Sequence, residues 1–221
     1  MDIAKKNNLK VISDTAQSPG ALYKGKFAGT LADIGGFSLN YHKHIHCGEG
    51  GLVVTNNERL AYRVKLIRNH GEAVLNTNKA EDLSNIIGHN FRLGEIEAAI
   101  AREQLKKLNQ FITSRQKAAE RLRDGLKSLN GLKLPFIPKD FSHVYYVFGM
   151  ILIDKSISDR RSLVANALKA EGVPALGVGY QNIHLNPIFI NKIAYGTKSF
   201  PWVGLNSCLL YTSDAADEFM G

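Results

Sequence analysis

Lys43 lies at the centre of the segment of this chain whose residue types and spacing say most about chemistry. Residues 36–51 read GFSLNYHKHIHCGEGG, with the hydroxyl of Ser38 five residues before the lysine and a glycine-rich run after Cys47. A lysine amine can form a Schiff base with an aldehyde, and a nearby hydroxyl could hold an anionic group attached to that aldehyde. Glycines let the backbone approach a bound ring closely. Pyridoxal phosphate is an aldehyde that carries its own phosphate, so the spacing indicates a site for this cofactor.

A carboxylate follows the short buried strand that we predict at residues 9–13, where the chain reads LKVIS. Asp14 would stand at the end of that strand and could pair with the protonated pyridine nitrogen of the cofactor, which keeps the ring an electron sink. Gln17, three residues later, could reach the ring hydroxyl. The competing interpretation of Asp14 is an ordinary turn or helix cap.

These motifs, taken in order, resemble the DegT class of fold-type-I aminotransferases, which act on nucleotide sugars. The likeness covers about residues 1–200 and rests on VISDTAQ at 11–17, GFSLNYHK at 36–43, GEGG at 48–51, IRNHG at 67–71, GHNFRL at 88–93 and YQNIHLNP at 180–187. The resemblance implies an α/β fold, in which part of a three-layer αβα cofactor-binding large domain is followed by a small α/β C-terminal domain.

The same resemblance implies the roles of individual residues. Lys43 would hold pyridoxal phosphate and shuttle the α-proton of an amino donor such as glutamate, before a keto-sugar nucleotide is aminated. Asn90 would reach the cofactor phosphate of a neighbouring subunit in a homodimer. Tyr180 and His184 match a stretch near the sugar substrate, and their alternative is ordinary packing at the edge of the small domain. The implied cofactor site contains Asp14, Gln17, Ser38, Lys43 and Asn90.

Two other functions stay open at this point. Some relatives carry histidine where this chain has Lys43 and dehydrate their sugar, so a dehydratase or a regulatory relative is the first alternative. The second is a non-catalytic metal-binding or scaffold protein, because His42, His44 and His46 alternate and would face one way on a strand. The glycines after His46 argue against a continuing strand, and we therefore expect no metal.

The chain is expected to be a piece of a longer protein. The family carries a further segment ahead of the Asp14 motif, with a phosphate-binding loop and an aromatic residue that stacks on the ring. At the other end, residues 208–218 resemble a translated sequencing adapter. We therefore expect residues 1–130 to be the C-terminal part of the large domain plus a long connecting helix, 131–207 an incomplete small domain, and 208–221 a non-native tail.

Composition and charge exclude some partners. The net charge is +8, and many basic residues lie between Arg102 and Lys127, where no aromatic residues alternate with them as base-stacking surfaces require. We interpret them as a solvated helix face and expect no nucleic acid partner. No apolar run reaches membrane-spanning length. Cys47 is the only cysteine outside the tail, which excludes a disulfide framework and favours the cytoplasm.

Hydrophobic periodicity and turn residues predict the elements that position these groups. Buried strands are expected at 11–13, 34–39 and 51–55, a hairpin turn at Tyr23–Lys26, and a helix capped by Asn57 that ends near Arg68. Residues 73–85 are predicted to be a loop, and a long helix, with or without a break, is predicted from about 93 to 129. In the small domain we expect a strand at 144–153, a helix at 158–172 capped by Ser158, and a strand at 173–178.

Overall fold

The computed structural model describes residues 1–72, 86–158, 160–180 and 182–203. The predicted loop at 73–85 and the predicted tail at 208–221 lie outside the described residues. The chain forms two compact units, Met1–Asp154 and Lys155–Gly221. None of the described helices is long and apolar enough to cross a membrane.

A three-stranded sheet forms the centre of the first unit. Its strands are β1 (Ile12–Asp14), β4 (Ile34–Ser38) and β5 (Gly51–Val54), in the order β1-β4-β5. β1 and β4 are parallel, whereas β4 and β5 are antiparallel. Between β1 and β4 in the chain, β2 (Leu22–Tyr23) and β3 (Lys26–Phe27) form the expected hairpin. The predicted strands and hairpin are confirmed, with ends that differ by one residue.

Helices complete the first unit. They are α1 (Asp2–Lys6), α2 (Glu58–Arg68), α3 (Glu95–Leu105) and α4 (Leu108–Leu126). α2 begins and ends where the sequence predicts, because Asn57 Oδ1 accepts a hydrogen bond of 3.0 Å from the Leu60 N–H. The helical span predicted from about 93 to 129, with or without a break, consists of two helices, and the chain turns at Lys106 and Lys107. Both halves have helical periodicity, so the pattern by itself could not locate the break.

The outer strands of the sheet are more exposed than the sequence predicts. Ile12 in β1 has 76% of its surface exposed, and Leu52 and Val53 in β5 are also exposed. The prediction that β1 and β5 are buried strands is therefore wrong for this structure. Both are edge strands of a three-stranded sheet, so no strand of the described part of the chain lies on the outer side of either.

The segment after α4 departs most from expectation. Its strands are short: β6 (Leu132–Lys133) pairs with β8 (Ile151–Leu152), and β7 (Phe141–Ser142) pairs with β2. The continuous strand predicted at 144–153 is wrong. Gln116 Nε2 donates to the His143 carbonyl over 2.9 Å, and Arg115 Nη1 donates to the Tyr145 carbonyl over 3.1 Å. Side chains of α4 thus bind carbonyl groups that a strand would have offered to a neighbouring strand.

Because of those contacts, the boundary between the two compact units also differs from the expected one. Residues 131–154, expected in the small domain, belong to the first compact unit, and the division follows Asp154 rather than residue 130. The physical reason is that α4 and β2 both bind this segment, through side-chain hydrogen bonds and through the pairing of Leu22 with Ser142.

The regular elements of the second unit, where it is described, are helices. It contains α5 (Lys155–Ser158), α6 (Arg161–Ala170), a 3₁₀ turn at Ile183–Leu185 and α7 (Pro187–Ile190). Ser158 ends α5 and does not cap α6, which Arg160 precedes. Residues 173–178, all of them described, form no strand, so this prediction is also wrong.

Candidate functional site

The carboxyl ends of β1 and β4 bring three of the predicted site residues to one edge of the sheet. Asp14 is the last residue of β1 and lies in register with Gly36, while Ser38 ends β4 two residues further along. Lys43 follows in the loop that joins β4 to β5. In α/β sheets, ligands bind at the carboxyl ends of parallel strands. Asp14, Ser38 and Lys43 therefore lie at the end of the sheet where α/β proteins bind their ligands.

A buried threonine fixes the end of β1. The N–H and the Oγ1 hydroxyl of Thr15 both donate to the Gly36 carbonyl, over 2.9 and 2.6 Å. The carboxylate of Asp14 is exposed, and its Oδ1 accepts a hydrogen bond of 3.0 Å from the Ala16 N–H. Gln17 is exposed in the turn that follows. Asp14 thus caps its own turn, as the competing interpretation expected, while its side chain still faces solvent at the strand ends.

The loop that carries Lys43, residues 39–50, is closed at its base and packed underneath. The Leu39 N–H donates to the Gly50 carbonyl over 2.9 Å, and the Cys47 N–H donates to the Leu39 carbonyl over 3.0 Å. Leu39, Ile45 and Cys47 form a buried cluster, against which Leu93, Ala101, Leu108 and Phe111 pack. The apolar residues of the loop therefore anchor it, and the half-buried Lys43 is held on a fixed support.

The Lys43 side chain contacts an aromatic ring that sequence reasoning missed. Its Nζ lies 4.8 Å from the centre of the Tyr146 ring, a cation–π contact. Tyr146 lies about a hundred residues along the chain, and no local signal connects it with Lys43.

His44 turns inward beside Lys43. It is 5% exposed, and its Nε2 lies 2.9 Å from the Val144 carbonyl oxygen. Burial lowers the pKa of His44, the hydrogen bond to Val144 opposes this, and the nearby positive charges of Arg115, His143 and Lys43 lower the pKa further. The neutral imidazole then donates from Nε2–H, which leaves Nδ1 buried with no partner among the described residues.

The three alternating histidines do not converge. His42 is exposed and its ring lies against that of Tyr41, tilted by 36° with ring centres 3.7 Å apart, while His44 is buried. Within residues 1–72, 86–158, 160–180 and 182–203, no three side chains that could bind a metal come together. The metal-binding alternative therefore has no support from the geometry.

Cys47 is a packing residue. Its Sγ donates to the Glu49 carbonyl over 3.4 Å, and burial, together with the carboxylates of Glu97 and Glu49, raises the pKa of the thiol. A neutral thiol is a poor nucleophile.

The other predicted residues belong to other segments of the chain. Asn90 is exposed and pairs with Asn69, just after α2, where Arg92 Nη1 also donates to Asn69 Oδ1 over 2.8 Å. Tyr180, with 78% of its surface exposed, and His184, in the 3₁₀ turn, lie in the second compact unit. Asp14, Ser38 and Lys43 thus belong to the carboxyl ends of β1 and β4 and to the loop that follows β4, whereas Asn90, Tyr180 and His184 belong to other segments.

The fold and this site define an α/β protein that matches fold-type-I aminotransferase structures. The model of the DegT/DnrJ/EryC1/StrS aminotransferase family matches residues 1–203, and the chain belongs to this family. The resemblance inferred from its motifs is confirmed.

Individual relatives point in the same direction. GDP-perosamine synthase of Escherichia coli O157:H7 is 31% identical over 208 residues, which are 93% of this chain and 54% of that protein. The structure of Helicobacter pylori PseC, an aminotransferase involved in the biosynthesis of pseudoaminic acid, matches with a TM-score of 0.74 at 28% identity, over 90% of this chain and 53% of that one. The E. coli GDP-4-keto-6-deoxy-D-mannose-3-dehydratase with bound hydrated PLP matches with a TM-score of 0.65 at 31% identity, over 76% of this chain and 46% of that one. The chain thus spans about half the length of these relatives.

Proposed function

We propose that this chain is part of a pyridoxal phosphate-dependent aminotransferase that transfers an amino group from a donor such as glutamate to a keto-sugar nucleotide. The observation that carries the proposal is the position of Lys43, on an anchored loop that begins directly after Ser38 at the carboxyl end of β4. The names of the relatives supply the sugar substrate class, since they include a GDP-perosamine synthase and a dTDP-3-amino-3,4,6-trideoxy-alpha-D-glucose transaminase.

The side chains at this edge fit the cofactor by their chemistry. An amine, a hydroxyl and a carboxylate, from Lys43, Ser38 and Asp14, correspond to its aldehyde, phosphate and pyridine nitrogen. The Gln17 amide would face the ring hydroxyl, and Asn90 of a second subunit would add a phosphate contact in a homodimer. When bound, pyridoxal phosphate supplies an electron sink for a carbanion.

The chain's own residues would do three things. Lys43 would hold the cofactor through Nζ and, once released, take the proton from the α-carbon of the amino donor and return it to the acceptor. Asp14 would keep a proton on the pyridine nitrogen by its negative charge. Tyr180 and His184 would bind the sugar.

We place the enzyme in the cytoplasm, on the ground that Cys47 is a free thiol.

The assignment of Lys43 can be tested in the full-length parent, the longer protein of which we expect this chain to be a part. After loading with pyridoxal phosphate and reduction with borohydride, peptide mass spectrometry should find the label on Lys43. The matched control is Lys24→Ala, because Lys24 also lies over a tyrosine ring, at 5.4 Å from the centre of Tyr23, but in the hairpin. We expect Lys43→Ala to abolish the label and Lys24→Ala to leave it unchanged. A label on another lysine would contradict the proposal.

A sugar dehydratase is the second candidate, favoured by the similarity to the E. coli dehydratase structure. The two functions differ in their products. An aminotransferase adds nitrogen from the donor to the sugar in a one-to-one ratio, whereas a dehydratase removes water and leaves no donor nitrogen on it. Mass spectrometry of the sugar product formed with ¹⁵N-labelled glutamate separates them. We expect ¹⁵N in the product, because lysine occupies position 43.

A further inference from the structure

Asn40 connects the two arms of the loop that carries Lys43, of which the first arm precedes the lysine and the second follows it. Its backbone N–H donates to Ser38 Oγ over 3.2 Å, and its carbonyl accepts the Lys43 N–H over 2.9 Å. Its side-chain Oδ1 accepts the His42 N–H over 3.1 Å, while Nδ2 donates to Glu49 Oε1 over 2.7 Å. All four polar groups of this residue are therefore used, three within the loop and one on Ser38 at the end of β4.

The bond to Glu49 differs from the other three, because it crosses from the first arm of the loop to the second. Glu49 stands between Gly48, whose φ of +93° favours glycine, and Gly50, whose carbonyl closes the loop base on Leu39. A hydrogen bond to a charged acceptor is stronger than one between neutral groups. The Asn40–Glu49 bond thus adds a side-chain link to the backbone closure.

The same residue also determines how Ser38 presents its hydroxyl. Since Ser38 Oγ accepts the Asn40 N–H, its own O–H hydrogen points elsewhere and can donate to an anion. The distance from Ser38 to Lys43 along the loop then depends on the turn that Asn40 makes through the His42 and Lys43 N–H groups.

We propose that Asn40 and Glu49 are positioning residues, whose hydrogen bond ties the two arms of the loop and holds Lys43 and Ser38 in the arrangement that captures the cofactor. This inference rests on the proposed function. Neither side chain needs to touch the cofactor, and their effect passes through the backbone around Lys43.

The test uses two measurements on the full-length parent. One is hydrogen exchange of backbone amides in peptides that span residues 38–50, without cofactor. The other is the rate at which pyridoxal phosphate is captured on Lys43, trapped with borohydride and counted by peptide mass spectrometry. In Asn40→Ala we expect exchange to be about tenfold faster and capture about tenfold slower, as loss of one charge-assisted hydrogen bond predicts. The matched control is Asn57→Ala, which removes one asparagine hydrogen bond at the start of α2 and should change neither quantity.

A reversed hydrogen bond provides the decisive variant. Asn40→Asp places a carboxylate opposite Glu49 and should impair both measurements at least as much as the alanine. Adding Glu49→Gln restores a donor–acceptor pair with the direction reversed, and Asp at position 40 can still accept the His42 N–H. The double variant should recover to within about threefold of the unmodified protein. It also keeps the test decisive if Asn40→Ala does not fold.

Different results would refute different statements. Exchange and capture unchanged in Asn40→Ala, or a double variant no better than Asn40→Asp, would overturn the positioning role even with Lys43 labelled normally. Absence of any label on Lys43 in the unmodified protein would instead overturn the proposed function. The exchange measurement would then still decide whether the Asn40–Glu49 bond orders the loop.

Discussion

The two compact units bury their apolar side chains to very different extents. In the first unit Leu66, Ile112 and Val144 are buried in addition to the loop cluster at Leu39. In the second unit Ala165 is the one buried apolar residue among those described, although Leu163, Ile188 and Phe189 are available. Burial of large apolar side chains is the main favourable term in folding. The site residues at Lys43 therefore stand on a packed support, whereas Tyr180 and His184 do not within their own unit.

The comparison shows that the residues of a functional motif need a structure that holds them in place. The residues at the strand ends are held by short hydrogen bonds, such as that between Thr15 Oγ1 and the Gly36 carbonyl. Packing in the first unit is nevertheless incomplete, because the apolar side chains of Ile12, Phe91 and Ile96 remain exposed. The first unit thus anchors its chemistry locally but leaves apolar surface uncovered.

The largest expected effect concerns that uncovered surface. We expect residues 1–207 expressed alone to be poorly soluble and not to bind pyridoxal phosphate stoichiometrically, because exposed apolar groups such as Ile12 cost about 25 cal/mol per Å² of surface left in water. Absorbance after addition of the cofactor and size-exclusion elution measure this. A soluble, yellow, stable dimer would show that residues 1–207 suffice without further chain.

Asp14→Asn should have the next largest effect, on activity rather than on folding. In the full-length parent we expect most transaminase turnover to be lost, several kcal/mol in the barrier, because a neutral amide cannot hold a proton on the pyridine nitrogen. Turnover and circular dichroism are measured together. Asp124→Asn, on the exposed side of α4, is the control. Near-normal turnover would refute the role of Asp14.

Truncations in the two units test the difference in burial directly. Leu66 is 1% exposed, and Leu66→Ala should lower the free energy of unfolding by about 2–5 kcal/mol, because it leaves a cavity. Leu163 is 62% exposed, and Leu163→Ala should cost less than about 1 kcal/mol. Denaturant unfolding of the full-length parent compares them. Equal losses would mean that the second unit is packed as tightly as the first.

The smallest expected effect is on pH dependence. The pKa values of His44 and His143 are both lowered, in each case chiefly by burial, so the unfolded chain takes up protons at a higher pH than the folded one. The contribution of these two histidines to the free energy of unfolding is therefore fully present above the unfolded pKa of about 6.5, and it is lost as the pH drops below that value. Unfolding midpoints measured between pH 5 and pH 8, a range of about three units around that pKa, should show a weaker dependence in His44→Gln than in the exposed control His42→Gln. Identical slopes in both variants would contradict this.

Local spacing determined much of this protein. The run from Gly36 to Gly51 indicates the loop, its lysine and its hydroxyl, and the family match confirms the class of protein. Asn57 predicts the start of α2, and the hairpin after Tyr23 follows from its turn residues. These features depend on neighbours within a few positions, so backbone preferences and capping bonds suffice to specify them.

Tertiary structure decided what lies next to that loop. The ring of Tyr146 under Lys43 and the Val144 carbonyl at His44 come from a segment whose apolar pattern predicts a strand. Gln116 and Arg115 bind its carbonyl groups instead, which also moves the limit of the first unit to Asp154. Such contacts join groups far apart in the chain, and their free energy depends on how helices and strands pack. No local pattern of residues contains that information.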